Sequence, residues 1–534
     1  MVVKDAISIK RAAHPEDIGV SSRELANFFK DISDSNIELH SIMVLRHGKV
    51  AFEFWHKPYA AHIPHTMYSV SKSFTSAAVG FAVEESLISV DAKDIDFFPE
   101  YRPPVYDDNL ENLKVFHLLT MTAGKDVSVL TDKSKKRWMK DFFDAKWAFA
   151  PGESWRYISE NQYVLCAILQ KVTKMTVIDY LMPRLFEPLG IDRPFWDTDC
   201  NGIEAGGWGL FIKTEDLAKF ILCYMQGGKF DGKQVIPQKW AEESVKGLVS
   251  NGQYKQADST SVYGYCFWRN GGCKNSYRAD GMFSQFGFVF EDYDAGVIIT
   301  ASEVFEQKMR DCVWRHFPKA FIEENGEPYA DEATLSKLTI PPLPELSKAP
   351  RCFQMEKRLE GKMIKMKRPI ALNQAGFTVS MMPLAVFYMS ADMAGNMDYL
   401  RFRFGKDSCK LSWSEGKVRN TILCGMDGIG RKCRITLGGI QFTVSCSAAW
   451  KNQNTLQVWV RPLESICQRR LTFVFDGNNV KMIPRSSPEL GTIADNIAQG
   501  AGEFIGNPFL TRIAQSILEK GYVVLEPTHR GQIR

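Results

Sequence analysis

The chain has 534 residues, 45% hydrophobic and 24% charged, a balance that belongs to folded domains and not to a disordered or fibrous polymer. Its 66 basic and 62 acidic residues are interleaved and leave a net charge of +4, so neither nucleic acid nor a membrane surface is expected as a partner. No window approaches about 18 uninterrupted apolar residues, and a chain of this length calls for more than one core.

Taken in chain order, Met1 to Arg11 lacks the long apolar run of an export signal, so the chain is expected to stay in the cytoplasm. The 12 cysteines form no Cys-x-x-Cys pair, and in a reducing compartment they read as buried free thiols, not bridges or a zinc site. His62 and His65 are the closest pair among nine histidines; a solvated loop is their default reading, with a substrate-rim or proton-relay role as the alternative. No metal is expected. Directly after them Ser69-Val70-Ser71-Lys72 opens an apolar helix. Lys133 to Lys140 is the one dense basic run and reads as a solvated helix face. A helix is expected to start near Asn161. Phe286 to Phe290 and Val297 to Ala301, separated by a turn around Asp292 and Gly296, form a hairpin.

Residues 336 to 350 are proline-rich and stiff, the composition of a boundary between domains. Beyond them the apolar period becomes two: Leu400, Phe402, Phe404; Ile440, Phe442, Val444, Cys446; Leu456, Val458, Val460; Leu471, Phe473, Phe475, before an Asp476-Gly477 turn. These are half-buried antiparallel strands, so residues 351 to 485 are expected to build a β-sandwich or small barrel, read either as purely structural or as a domain that shapes the mouth of a site or mediates association. From Ser486 to Arg534 the spacing of Ile493, Ile497, Phe509, Ile513 and Ile517 reads as a helical tail.

The chemistry concentrates on Ser69 and Lys72, one helical turn apart and therefore neighbours. A serine hydroxyl needs a base to take its proton, and a lysine amine serves only if its pKa falls from about 10.4 towards 7, a cost of about 4 to 5 kcal/mol that burial and a nearby cation can supply. A helix N-terminus at Ser69 adds N–H groups and a positive dipole end for a developing oxyanion. The chain has no G-x-S-x-G elbow, Walker loop, G-x-G-x-x-G or H-E-x-x-H, and the serine mechanism needs no cofactor.

Further segments follow in a familiar order. They are Pro15 to Ser22, Ser41 to Glu53, Phe116 to Gly124, Ala150 to Tyr157, Phe186 to Ile191, Gly206 to Phe220 and Gly228 to Pro237. Together with Ser69 and Lys72 they resemble the β-lactamase-related serine hydrolases: class C β-lactamases, DD-peptidases, esterases and 6-aminohexanoate-oligomer hydrolases. The resemblance covers roughly residues 15 to 320 and implies an α/β (α+β) fold of β-lactamase/transpeptidase type, with a central antiparallel sheet flanked by helices in residues 1 to 335. Tyr157-Ile158-Ser159-Glu160-Asn161 fits the tyrosine motif of the aminohexanoate branch, apart from Val164 where a leucine is usual, and implies that Tyr157 is the catalytic phenol. The competing register uses Tyr163 but puts Ile158 at the catalytic place, so Tyr163 is read as a core aromatic.

The family's third motif meets this chain at Tyr277 to Phe288, where Gly281 matches but Ala279 stands in place of the expected cation. That departure weakens the case for β-lactams or peptidoglycan stems as substrates. The resemblance implies that the N–H groups of Ser69 and Met282 form the oxyanion hole, while Ser159, Asp280 and Gly281 contact substrate. The expected activity is hydrolysis of a small-molecule ester or amide through a covalent acyl-enzyme. The alternatives are a β-lactamase or penicillin-binding DD-peptidase, and a catalytically silent binding or scaffold protein. Homo-oligomer formation is left open.

Overall fold

The computed structural model describes residues 7–105, 107–126, 136–252, 258, 261–367, 397–437, 439–489, 492, 526 and 528–534. The chain divides into two compact units, Met1–Pro341 and Pro342–Arg534. The longer helices of the first unit are α1 (Ser22–Asp34), α2 (Ser71–Glu84), α3 (Glu160–Thr173), α4 (Thr214–Met225) and α5 (Glu306–Ala320). Its main sheet is built from β1 (Leu39–Arg46), β2 (Lys49–Trp55), β3 (Val249–Ser250), β4 (Val262–Tyr263), β5 (Trp268–Arg269), β6 (Ser276–Gly281), β7 (Gln285–Phe290) and β8 (Ala295–Ala301). The spatial order is β3-β4-β5-β6-β7-β8-β1-β2, and its neighbours pair antiparallel. This is the expected central antiparallel sheet flanked by helices.

Strands β1, β7 and β8 are buried along their whole length, which requires cover on both faces. On one face α1 and α5 supply Leu25, Phe28, Phe29, Ile32, Met309, Val313 and Phe317, which meet Ile42, Val44, Phe286, Phe288, Val297 and Ile299 of the sheet. Each fully buried phenylalanine there contributes about 1.5 to 3 kcal/mol. Helix α1 begins where Ser21 accepts the Glu24 N–H, and its apolar residues recur at helical spacing. Helix α4 packs on β1, β7 and β8. Helix α2 is apolar or small around its circumference and buried from Ser71 to Ala82, so it runs through the interior. The hairpin read at Phe286 to Ala301 is β7 and β8, turning at Glu291–Tyr293.

The second unit is one antiparallel sheet of β9 (Met363–Lys367), β10 (Met397–Phe404), β11 (Ser408–Glu415), β12 (Val418–Gly425), β13 (Arg431–Leu437), β14 (Ile440–Asn452), β15 (Thr455–Pro462), β16 (Gln468–Asp476), β17 (Asn479–Ser487) and β18 (His529–Ile533). The order is β12-β11-β10-β9-β18-β17-β16-β15-β14-β13, and a parallel pairing of β12 with β14 at Gly425 and Ser447 brings the sheet back on itself as a barrel. The period-two residues Leu400, Phe402, Phe442, Val444, Val458, Leu471 and Phe473 all lie inside it.

Most of the expected helical tail lies outside the described residues. Its two ends differ from the helical reading: Ser486 and Ser487 finish β17, and His529–Ile533 forms a strand between β9 and β17. The reason is ladder satisfaction, since without β18 those two strands would each present an unpaired row of backbone groups.

Candidate active site

The proposed nucleophile sits on a turn fixed from both sides. Ahead of it, His65–Thr66 pairs with Phe211–Ile212, and the Met67 N–H donates to Leu210 O at 2.8 Å. Tyr68 then adopts φ +44°, a left-handed conformation that costs a bulky residue about 1 to 3 kcal/mol. Its buried ring is held edge-on to Phe283 at 5.1 Å. The sharp turn Tyr68–Val70 leads into α2 and leaves Ser69 half-buried at the helix head, with Lys72 in the first turn behind it.

Lys72 is 1% exposed, and its Nζ lies 2.8 Å from Ser69 Oγ, 3.0 Å from Ser159 Oγ and 2.8 Å from Gly207 O. Burial pushes its pKa down to about 7, against weaker opposing pulls from Cys266, Glu160 and Asp280. The Gly207 carbonyl can only accept, so it takes one N–H; the Ser159 and Ser69 hydroxyls can each accept an N–H, and the Ser69 O–H can instead donate to the nitrogen when the amine is neutral.

Tyr157 places its ring centroid 4.7 Å from Lys72 Nζ. Tyr163 is elsewhere: it is 1% exposed, donates to Asp199 Oδ2 at 3.0 Å and packs edge-on against Trp138. It is a core aromatic, as expected once the competing register is set aside.

Two glycines bring backbone to this group. A Cβ on Gly207 would overlap Ser159 O and sit 3.0 Å from Ser159 Cβ, so only glycine lets this carbonyl reach Lys72. A Cβ on Gly281 would overlap Met67 O and sit 3.2 Å from Val70 Cγ2, so the end of β6 rests on the turn that carries Ser69. Met282 follows at once and starts the turn into β7. Gln285 Nε2 braces that turn by donating to Phe283 O and Ala301 O, both at 2.9 Å, and the Phe283 N–H donates to Glu306 Oε1 at 2.8 Å.

Asp280 is tied into a buried charge network, and its Oδ2 accepts from Arg278 Nε at 2.6 Å. Arg278 also donates to Asn270 Oδ1 at 2.6 Å, and Arg310 lies 4.0 Å from Asp280 and 3.6 Å from Asp258 and from Glu306. One face of the Asp280 carboxylate is therefore committed inward. Ala279 is fully buried and brings no cation to the site.

Several features were not singled out from sequence. The Gly207 carbonyl has no motif of its own, although Gly206-Gly207-Trp208-Gly209 is a visible signal of close backbone approach. An aromatic wall around Tyr157 joins Trp155, Tyr263, Trp268 and Met121. The Trp268 ring is 5.4 Å from Tyr157 and 5.5 Å from Trp155. Met121, the Trp155–Tyr157 stretch and the Tyr263–Trp268 stretch are far apart in the chain, so their meeting carries no local pattern.

His62 and His65 do not act as a pair. His62 is exposed, whereas His65 is buried, with Nδ1 on Thr66 O and Nε2 on His40 Nδ1, both at 2.9 Å. Burial and His40 push His65 down to about 3, so it is a neutral interior group and not a solvated loop residue. Of the basic run, Arg137 and Lys140 reach forward one helical turn to Asp141 and Asp144, and residues 133–135 lie outside the described set. Among the described residues no group of three or more His, Cys, Asp or Glu side chains is arranged to hold a metal ion, and no helix is long and apolar enough to cross a membrane.

Comparison with known proteins identifies the family. The family model described as Beta-lactamase matches residues 26–316. The 6-aminohexanoate-dimer hydrolase of Paenarthrobacter ureafaciens is 24% identical over 306 residues, covering 52% of this chain and 77% of that relative. The D-aminopeptidase of Brucella anthropi is 30% identical over 148 residues, 26% of this chain and 28% of the relative. A solved structure from Bacillus anthracis, provisionally assigned as a 6-aminohexanoate-dimer hydrolase, shares the fold with a TM-score of 0.50 at 18% identity, over 59% of this chain and 87% of that one. With a family match over more than half its length, the chain belongs to the β-lactamase family of serine hydrolases.

Proposed function

We propose that the protein hydrolyses a small ester or amide through a covalent acyl-enzyme on Ser69. The observation that carries this reading is the buried Lys72 amine, 2.8 Å from Ser69 Oγ and pushed down to about 7. In the first half-reaction Ser69 Oγ bonds to the substrate carbonyl carbon and Lys72 takes the hydroxyl proton. Tyr157, beside Lys72, passes that proton to the leaving oxygen or nitrogen as the carbonyl–leaving-group bond breaks. Water then attacks the acyl-serine, gives its proton back through the same groups, and releases the acid. The N–H groups of Ser69 and Met282 hold the oxyanion, a position supported by the Gly281 approach to Met67.

Ester and amide substrates are favoured over β-lactams because position 279 offers a buried alanine where a cation would engage a carboxylate. The relative named a 6-aminohexanoate-dimer hydrolase directs attention to short linear amides. The test is labelling with a fluorophosphonate probe, followed by a panel of esters and short amides run beside a chromogenic cephalosporin. Wild type is expected to label stoichiometrically and Ser69→Ala not at all, with its melting curve unchanged. Labelling retained by Ser69→Ala rejects the nucleophile, and turnover confined to the cephalosporin rejects the substrate class.

A further inference from the structure

The barrel of the second unit closes imperfectly. Strands β12 and β13 face each other across the seam without a backbone ladder among the described residues, apart from the bridge of β12 to β14 at Gly425 and Ser447. Side chains fill the gap. Asn420 Nδ2 donates to Thr436 O at 2.9 Å, and Oδ1 of the same amide accepts the Thr436 N–H at 3.0 Å, in imitation of a strand pair. Three residues along each strand, the Leu423 N–H of β12 donates to the sulfur of Cys433 at 3.1 Å, and that sulfur lies 3.6 Å from Leu423 O, to which its S–H donates in the thiol form.

Cys433 is the half-buried end of a row of thiols that enters the barrel. Cys409 of β11 and Cys424 of β12 are directly opposed in register. Cys446 of β14 precedes Ser447 as Cys424 precedes Gly425, so the parallel bridge sets these two side by side. Cys433 pairs with Val444 and therefore shares the inward face with Cys446, two residues on. Cys409, Cys424 and Cys446 are 0% exposed, while Cys433 alone of the four reaches solvent.

We propose that this seam is a peroxide-responsive thiol site, in which Cys433 is the sulfur that reacts and Cys446 the thiol that resolves it into a disulfide. The electrostatics of the row agree with that division. The Cys446 thiol and the Leu423 N–H together bring Cys433 down to about 6, whereas burial holds Cys446 well above its ordinary value and keeps it protonated. The Cys433 thiolate attacks one oxygen of a hydroperoxide, the O–O bond breaks, and the other oxygen leaves as water or alcohol after taking up a proton. Cys433 is now a sulfenic acid. Cys446 sulfur then attacks Cys433 sulfur, the S–O bond breaks, and the hydroxyl departs as water with the Cys446 proton. Two thiols lose two electrons in total and one peroxide gains them. The disulfide sulfur is a poorer acceptor for the Leu423 N–H than the thiolate was, so oxidation acts on the seam that this bond closes. The site is independent of Ser69 chemistry.

The test treats the full-length protein with hydrogen peroxide under native conditions, traps sulfenic acid with dimedone, and maps thiols by differential alkylation and mass spectrometry. Wild type is expected to form a Cys433–Cys446 disulfide reversible by dithiothreitol. Cys446→Ser is expected to stop at a dimedone adduct on Cys433, and Cys433→Ser to show neither product, with melting curves of both variants matching wild type. At about pH 6.5 Cys433 is expected to alkylate at least about tenfold faster than exposed Cys200. Reaction of Cys433 no faster than Cys200 overturns the proposal. So does a disulfide that leaves Cys446 free, or a Cys433 adduct that fails to build up in Cys446→Ser. If either serine variant does not fold, the alkylation rates of wild-type Cys433 and Cys200 decide the matter alone.

Discussion

Gly207→Ala isolates the backbone contact that holds Lys72, the proposed base. Gly207 does not occupy the left-handed region, so alanine meets no conformational penalty and the effect is steric. The new Cβ would overlap Ser159 O and lie 3.0 Å from Ser159 Cβ, inside the ordinary separation of about 3.5 to 4 Å. Relief requires a shift on the order of 1 Å between the Gly207 backbone and Ser159, and both of them bind Lys72. Overpacking of this kind costs about 1 to 3 kcal/mol of stability. A displacement of that size at a catalytic group costs about a hundredfold in rate. The assay is hydrolysis of the best substrate from the ester and amide panel, with a urea melt run in parallel. The expected result is a folded variant with kcat/KM lower by about a hundredfold and most of the loss in kcat. A folded variant with wild-type kcat would refute the role assigned to the Gly207 carbonyl.

Other consequences are separable from that one. Asp280→Asn leaves the buried Arg278 and Arg310 guanidiniums short of a counter-charge, and losing one partner of such a network costs about 3 to 5 kcal/mol. The urea midpoint is expected to fall accordingly, and an unchanged midpoint would show that the network carries no net stability. Asp94 is 0% exposed, has no hydrogen-bond partner on either carboxylate oxygen among the described residues, and is pushed up to about 7 by burial. Because the folded value is raised, its protonated form favours the fold at low pH, and that contribution is lost as pH rises from about 4 through about 7. Asp94→Asn is therefore expected to raise the melting temperature at pH 8 but not at pH 4, and equal shifts at both values would contradict the assignment.

What could be read from sequence was what is local or periodic. Ser69 and Lys72 meet because three residues make almost one helical turn, and that adjacency holds in any helix. The alternation of Leu400 with Arg401 and Phe402 with Arg403 places the inward face of a strand without knowledge of its neighbour. Tyr157 and Gly281 were reached through resemblance, since nothing in their own surroundings separates them from an ordinary loop tyrosine and a strand-end glycine. What stayed hidden depends on distant pairing. Trp268 joins Trp155 only after β5 takes its place beside β6, and Glu306 reaches the Phe283 N–H only when α5 caps the turn beyond β6. The barrel seam and the strand at His529–Ile533 follow from which edges lack partners, a property of the whole sheet. His65 misled because a histidine in a polar stretch gives no sign that His40 will receive it in the interior.

The central claim is that Lys72 acts as an unprotonated amine on Ser69, and the pH dependence of fluorophosphonate labelling tests it without knowledge of the natural substrate. The account predicts a rate that rises about tenfold per pH unit up to about 7 and then levels, following the amine as it loses its proton. Glu306, also pushed up to about 7 by burial, is a second group in that range, so the same profile is recorded for Glu306→Gln, where the limb is expected to remain. A rate that is flat from about pH 5 to 9, or a limb that appears only near about 10 where an ordinary lysine titrates, would contradict it.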